Sequence, residues 1–224
     1  MENMNYIIFI CIMVPMFFLL FIIKEKFART IIGFVTIGVF ACLFISEVNG
    51  LLLEYFGGDY RYVTTSITPV TEEIIKALPV LFFAYLFSDD LEKLEAISFS
   101  VGIGFAILEN MVVLLQNVET VSLFWALIRG FGSALMHGIC TGAVGLGMHF
   151  IHQKPKLFLS GTFALMVLAI IYHSIYNTLV QSQFKYFGFI LPLTTFIIIS
   201  AFAAWKKHTA KKAASAGSKE KMQT

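Results

Sequence analysis

Seven long apolar runs, each close to the length of a helix that crosses a lipid bilayer, fill most of this chain. A membrane span needs about 20 apolar residues at a rise of about 1.5 Å per residue. The 224-residue chain is 58% hydrophobic and 13% charged, whereas a soluble domain has about 25% charged residues. We therefore predict an all-α, polytopic transmembrane helix bundle that forms a single domain over residues 1–205. The predicted spans are 6–23, 31–53, 70–87, 95–116, 130–150, 158–181 and 186–205.

Three segments need a closer interpretation, which their composition and neighbours provide. The run 6–23 is longer than the about 7–15 apolar residues of a signal-peptide core, so we expect it to remain as a span. Residues 206–224 are rich in Lys, Ala and Ser and are predicted to form a basic cytoplasmic tail without regular structure. Residues 121–129 contain Trp125 and Arg129, which suit a membrane interface, so we expect an interfacial lead-in to the fifth span on the outer side, with Gly130 and Gly132 able to allow a bend.

Lysine and arginine are distributed unevenly between the two sides that alternating spans define. With the N-terminus outside, twelve of these residues fall in cytoplasmic segments, and only Arg61 and Lys185 fall in outer segments. Because positive charge is retained on the cytoplasmic side, the pattern predicts an N-out, C-in topology. The twelve cytoplasmic residues are Lys24, Lys26, Arg29, Lys93, Lys154, Lys156, Lys206, Lys207, Lys211, Lys212, Lys219 and Lys221.

Five titratable residues interrupt the apolar runs. Glu72 and Glu73 lie in the first turn of the third predicted span, at its outer end. Counted from the same side, Glu109, His137 and His173 each lie about 10–12 Å into the fourth, fifth and sixth spans. Such groups are costly at membrane depth and usually mark function. Four helices thus bring acids and imidazoles to a similar depth, which predicts one shared polar site near the outer leaflet.

Small residues share helix faces with these polar groups. The two stripes are Ser98, Gly102, Ala106 and Glu109 in the fourth span, and Gly130, Ala134, His137, Thr141 and Gly145 in the fifth. Because small residues let helix backbones approach closely, we expect the acid and the imidazole to face the bundle interior. His173 and Asn177 share a face of the sixth span. Glu47 and Asn49, in the second span, either line the same cavity or face the outer headgroups.

Each polar residue also has a purely structural interpretation. Glu72 and Lys76 form a favourable i,i+4 pair, although two adjacent acids exceed what one lysine neutralises. Asn110 and Asn177 either bridge helices or serve the site. Either histidine alone would also fit a hydrogen-bonded interior position.

Four motifs follow one another along the chain. They are the EExxK motif Glu72 to Lys76, the GFAxxEN-like element Gly104 to Asn110, the pair His137-Gly138, and the HxxxN motif His173 to Asn177. In order and spacing they resemble the PrsW family of intramembrane proteases, which is related to the CAAX-protease and bacteriocin-processing group. The wider group often has EExxxR, and the lysine one position earlier favours the PrsW branch. The resemblance covers about residues 40–180.

The resemblance implies a multi-pass peptidase of the bacterial plasma membrane with a catalytic core at about 40–181. It would make the first, site-1 cut in a membrane-anchored anti-sigma factor, so that a second protease completes sigma-factor release under envelope stress. The expected partners are this single-pass substrate and the lipid bilayer, with no nucleic acid. The candidate catalytic residues are Glu72, Glu73, Glu109, His137 and His173, supported by Lys76, Asn110 and Asn177.

Peptide hydrolysis needs an activated water, a stabilised oxyanion and a proton for the leaving amine. We assign the general base to Glu73 or Glu72, and the oxyanion donors to Asn110 or Asn177. In one version of the mechanism, His137, His173 and Glu109 are candidate ligands of Zn²⁺. In the other version no metal takes part, and the histidines orient water. The chain contains no HExxH motif.

A proton- or ion-coupled membrane transporter is the alternative function, since such proteins also carry intramembrane Glu and His. Against it, the polar groups cluster at one depth, and inverted repeats are not evident. A structural protein without catalysis would have little use for five inward titratable groups. The sequence therefore favours the protease.

Overall fold

The computed structural model describes residues 2–221 as a bundle dominated by seven long helices, with no strand among those residues. The predicted all-α architecture is therefore confirmed. The elements are α1 (Glu2–Ile22), α2 (Lys26–Tyr55), α3 (Tyr60–Tyr62), a π-helical turn (Val63–Ile67), α4 (Thr68–Leu86), α5 (Leu91–Gln116), α6 (Leu123–Met148), α7 (Pro155–Val180) and α8 (Lys185–Lys221).

Six of the seven long helices are long and apolar enough to cross a membrane, and α4 is the exception. Helix α4 has 19 residues, but Glu72, Glu73 and Lys76 make it more polar than the others. These three residues are only 5%, 1% and 0% exposed. The third predicted span is thus present as a helix, and it directs its charges into the bundle.

The lead-in predicted at 121–129 belongs from residue 123 onwards to the same helix as the fifth predicted span. Helix α6 is continuous from Leu123 onwards, and the Ser122 side chain caps it by accepting a hydrogen bond from the backbone N–H of Trp125 (3.1 Å). Gly132 lies within this continuous helix. Its missing side chain makes room for Phe189 of α8, which explains a glycine at this position by helix packing.

Helix α8 extends past the last predicted span. Residues 206–221, which we expected to lack regular structure, continue this helix, and residues 222–224 lie outside the described part of the chain. Alanine and lysine, frequent in this segment, are among the strongest helix formers. They therefore extend a helix that the preceding apolar residues have already nucleated.

Helix α5 packs closely against α2 on one side. A Cβ atom at Gly38 of α2 or at Gly104 of α5 would overlap the backbone of the facing helix. Both positions therefore require glycine for the two backbones to meet at this distance.

Helix α5 packs equally closely against α6 on its other side. A Cβ atom at Gly102 would overlap the backbone carbonyl of His137, and Ser98 fills the space left by Gly145. The predicted stripes do meet at these residues. Gly130, however, is exposed and would have no atom near an added Cβ, so its expected place at the helix contact was wrong.

Candidate active site

Helix α4 carries a buried cluster of three charged side chains. Because Glu72, Glu73 and Lys76 are spaced three and four residues apart, they lie on one face of the helix. Nζ of Lys76 lies 2.6 Å from Oε1 of Glu73 and 3.9 Å from Oε2 of Glu72. Buried charges are stable only when they are paired and hydrogen-bonded. The single lysine therefore compensates part of the negative charge of the two carboxylates.

Helix α7 adds an imidazole to this cluster. Nδ1 of His173 lies 2.8 Å from Oε1 of Glu73, and Nε2 lies 3.8 Å from Oε2 of Glu72. Since a carboxylate only accepts hydrogen bonds, Nδ1 is the nitrogen that carries the proton. The lone pair of Nε2 is then directed towards Glu72.

Helix α6 adds the second imidazole, held by a second carboxylate. Nε2 of His137 lies 3.1 Å from Oε2 of Glu109 on α5, and Nδ1 of His137 lies 2.8 Å from Nζ of Lys76. Glu109 also accepts a hydrogen bond from Oγ of Ser133 (3.0 Å) and forms an ion pair with Nη2 of Arg129 (3.4 Å). The arrangement leaves the lone pair of His137 on Nδ1, facing the cluster on α4.

His137 and His173 are thus held in the same way, each by a carboxylate. Their rings lie 5.0 Å apart and nearly perpendicular, at 86°. Each donates one N–H to a carboxylate and turns its other nitrogen inward, which is the arrangement that carboxylates impose on metal-ligating histidines. One ligand atom from each of Glu72, His137 and His173 lies within 4.8 Å of the others. Glu109, one of the candidate ligands from the sequence, contacts the other nitrogen of His137.

Two carboxylate oxygens in the cluster are unsatisfied. Oε2 of Glu72 and Oε2 of Glu73 are both buried, and neither accepts a hydrogen bond from any described residue. Buried acceptors without a partner are rare in native proteins. Their presence here fits a cation or a water molecule that binds between the carboxylates.

One side of the cluster is closed by an aromatic ring and another is open. The ring of Phe105 lies 5.0 Å from that of His137, and Nζ of Lys76 lies 4.6 Å from its centre. The side chain of Glu109 is 29% exposed, whereas that of Arg129 is 10% exposed. The cluster is therefore more accessible from the side of Glu109 than from that of Arg129.

Asn177 contributes to the geometry of α4 from the neighbouring helix. Its Nδ2 donates a hydrogen bond to the backbone carbonyl of Thr64 (2.9 Å), and the Gln181 side chain also bonds the Thr64 hydroxyl (3.0 Å). Thr64 lies in the π-helical turn that leads into α4, and such turns often occur at functional sites. The amide of Asn177 thus fixes the start of the helix that carries both glutamates.

Three other polar residues named in the sequence analysis lie outside the Glu–His cluster. Oδ1 of Asn49 accepts a hydrogen bond from Thr71 (3.0 Å), next to Glu72, whereas Glu47 accepts one from Tyr6 (2.9 Å) on α1. Oδ1 of Asn110 is buried and finds no partner within the described chain. Asn49 therefore supports the site, and Glu47 serves the contact between α1 and α2.

Sequence analysis missed Arg129, Ser133 and Tyr176. Arg129, Ser133 and His137 are each four residues apart and so lie on one face of α6, and all three are buried. This stripe was the signal that would have found them, but the neighbouring glycine stripe was chosen. Tyr176 has no comparable signal, because a tyrosine in an apolar run is ordinary.

Comparison with known proteins agrees with this geometry. A sequence model described as PrsW family intramembrane metalloprotease matches residues 26–205, which leaves only α1 and the C-terminal part of α8 outside the match. No curated protein and no solved structure matches the chain. The match favours a peptidase over the alternative of a transporter. This chain belongs to the PrsW family of intramembrane metalloproteases, and it is therefore a peptidase whose helices form a multi-pass membrane bundle.

Proposed function

We propose that this peptidase makes the first cut in a membrane-anchored anti-sigma factor, close to the outer face of a bacterial plasma membrane. The observation that carries the catalytic part is the convergence of Glu72, Glu73, His137 and His173 from three helices onto one buried cluster. The substrate class rests on the family resemblance. The outer location rests on the N-out, C-in distribution of positive charge.

The residues of the cluster fit a catalytic metal ion, and zinc is the ion that we propose. Glu72, His137 and His173 offer one carboxylate oxygen and two imidazole nitrogens, a set of three ligands found in zinc peptidases. Oε2 of Glu72 accepts no hydrogen bond from the described residues, so it would be the carboxylate oxygen that binds such an ion. When bound, the ion would polarise the scissile carbonyl and lower the pKa of a water molecule.

Lys76 lies close enough to a proposed metal ligand to compete with the metal ion. Its Nζ lies 2.8 Å from Nδ1 of His137, the nitrogen that this histidine would offer as a ligand. Two cations repel each other strongly at short range in a buried site. Metal binding therefore requires the ammonium group to move away from His137, and Glu73 remains available as its partner.

Glu73 is the proposed general base. Its Oε1 holds both His173 and Lys76, while its Oε2 is free to take a proton from water. Glu73 then returns this proton to the amine that leaves when the peptide bond breaks. Glu109 keeps His137 in the required tautomer. Our proposal thus takes Glu73 as the base and Glu72 as a ligand, a choice that the sequence left open.

The proposed function is tested by co-expressing a single-pass anti-sigma factor, tagged at both ends, with wild-type protein and with Glu73→Gln, Glu109→Gln and His173→Ala variants. We expect processing by the wild type and little or none by Glu73→Gln and His173→Ala. Glu47→Gln is the matched control, since Glu47 is an intramembrane glutamate bonded to Tyr6 outside the cluster. Full processing by every variant, at equal membrane abundance, would refute the catalytic assignment.

A further inference from the structure

Two buried hydrogen-bond donors near the histidines have no acceptor among the described residues. One is the hydroxyl of Tyr176, a residue that is 2% exposed, and the other is Nε of Arg129, a residue that is 8% exposed. Buried donors without a partner are rare because each lowers stability. A fold that keeps two of them next to a candidate active site is expected to use them there.

Both donors belong to the elements that carry the histidines. Tyr176 follows His173 by three residues on α7, so the two side chains lie on the same face. Arg129 lies two turns before His137 on α6 and forms the ion pair with Glu109. Phe189 of α8 lies beside both helices, since its ring centroid is 6.1 Å from that of Tyr176 and its side chain fills the space at Gly132, three residues after Arg129 on α6. Both donors therefore lie on the helix faces that carry the histidines, where α6 and α7 approach Phe189.

We propose that Tyr176 and Arg129 form a binding subsite for the carbonyl oxygen of the scissile peptide and stabilise the oxyanion that develops on it. This inference rests on the peptidase function proposed above. A peptide carbonyl supplies the acceptor that both donors lack. The cationic guanidinium and the fixed hydroxyl stabilise negative charge more strongly as it grows on that oxygen.

The chemistry of the step is balanced by groups already in the site. The water oxygen forms a bond to the carbonyl carbon and its proton passes to Oε2 of Glu73. The electron pair of the carbonyl double bond moves to the oxygen, where Tyr176 and Arg129 bind it. When the double bond forms again, the carbon–nitrogen bond breaks and the leaving amine takes the proton from Glu73.

Asn177 is a weaker candidate for the oxyanion donor, because its amide already has a hydrogen-bond partner. Its Nδ2 already donates to the Thr64 carbonyl at 2.9 Å, so the amide holds the π-helical turn. The ring of Tyr176, by contrast, packs edge-on against Phe189 with centroids 6.1 Å apart. This contact fixes the position of the hydroxyl, and a preorganised donor stabilises a transition state without reorganisation.

Tyr176→Phe tests the subsite, with Tyr172→Phe as its matched control one turn away on α7. The hydroxyl of Tyr172 donates a hydrogen bond to Thr195 of α8 (2.9 Å). Cleavage of the tagged anti-sigma factor is measured in proteoliposomes, and thermal unfolding is measured on the same samples. For Tyr176→Phe we expect kcat to fall about 10²–10³-fold with KM little changed, and Tm to stay the same or rise. For Tyr172→Phe we expect the opposite, a lower Tm and an unchanged kcat.

Arg129→Lys provides a second variant, because lysine keeps the charge near Glu109 but lacks the planar set of donors. It should also lower kcat more than it raises KM. A wild-type kcat in Tyr176→Phe, or a loss of kcat that merely follows a loss of Tm, would overturn the subsite. Failure of the wild type itself to cut the anti-sigma factor would refute the proposed function. Cleavage by the wild type and by Tyr176→Phe alike, but not by Glu73→Gln, would refute only the subsite.

Discussion

Oε1 of Glu73 lies 2.8 Å from Nδ1 of His173, although 100 positions separate the two residues in the chain. This contact joins α4 to α7 at the level where α6 contributes His137. The same oxygen accepts a hydrogen bond from Lys76 at 2.6 Å. One carboxylate therefore orients both the histidine and the lysine, and its second oxygen remains free for chemistry.

Metal binding should depend on three residues and be tuned by a fourth. We expect Glu72→Gln, His137→Ala and His173→Ala to lose bound zinc, as measured by elemental analysis of the purified protein. Glu109→Gln should retain zinc with affinity lowered about 10–100-fold, because Glu109 holds His137 from outside the ligand set.

The control for metal binding is His149→Ala, since Nδ1 of His149 lies 2.7 Å from the backbone carbonyl of Asp89, away from the cluster. It should bind zinc like the wild type. Wild-type zinc content in both histidine variants of the cluster would contradict the proposed ligands.

Lys76→Met should destabilise the metal-free protein and be rescued by zinc. Removing the ammonium leaves the buried carboxylates of Glu72 and Glu73 without their cation, which costs about 3–5 kcal/mol for a broken buried pair. A zinc ion would replace the lost charge, so adding Zn²⁺ should raise the Tm of Lys76→Met more than that of the wild type. Equal shifts in the two proteins would show that the ammonium and the metal do not share one site.

Gly102→Ala should damage the site through the backbone. A methyl group at Gly102 would overlap the carbonyl of His137, so α6 must shift, with a loss of about 1–3 kcal/mol for overpacking and a lower rate of cleavage. Gly130→Ala is the control, because nothing lies near an added Cβ there. It should gain about 0.5–1 kcal/mol from helix propensity. Thermal unfolding checks both values, and a neutral Gly102→Ala would contradict the close α5–α6 contact.

Asn177→Leu should loosen the π-helical turn before α4. It leaves the half-buried Thr64 carbonyl without the side-chain donor at 2.9 Å, which costs about 0.5–1.5 kcal/mol for a lost hydrogen bond. Hydrogen exchange should become faster over residues 63–67. Thr178→Ala, a change at an exposed neighbour, should leave exchange there unchanged. Unchanged exchange in Asn177→Leu would indicate that this amide serves another purpose.

Much of this arrangement follows from the sequence because a membrane restricts what a polar residue can do. Glu73, Glu109, His137 and His173 stand out in apolar runs, and the lengths of those runs predict their depth. Hydrophobicity and residue counts therefore predict the helices and the convergence of the polar groups.

Hydrophobicity and residue counts do not predict which side chains contact one another. Whether Glu72 or Glu109 meets the inward nitrogens of the histidines depends on helix rotations of about one residue step, as the neighbouring stripes at Gly130 and Arg129 illustrate. Tyr176 is significant only because its hydroxyl lacks a partner, a property of packing that no spacing reveals. Helix α6 begins seven residues before the predicted span because Ser122 caps it there, whereas Trp125 and Arg129 suit a membrane interface as well as a helix.

The most direct test of a catalytic Glu–His cluster is the rate at which purified protein in proteoliposomes cuts the tagged anti-sigma factor before and after chelation. We predict that the wild type cuts it, that chelation stops the reaction, that Zn²⁺ restores it, and that Glu73→Gln does not cut under any of these conditions. Cleavage by Glu73→Gln at the wild-type rate, or undiminished cleavage by the chelated wild type, would contradict the proposed site.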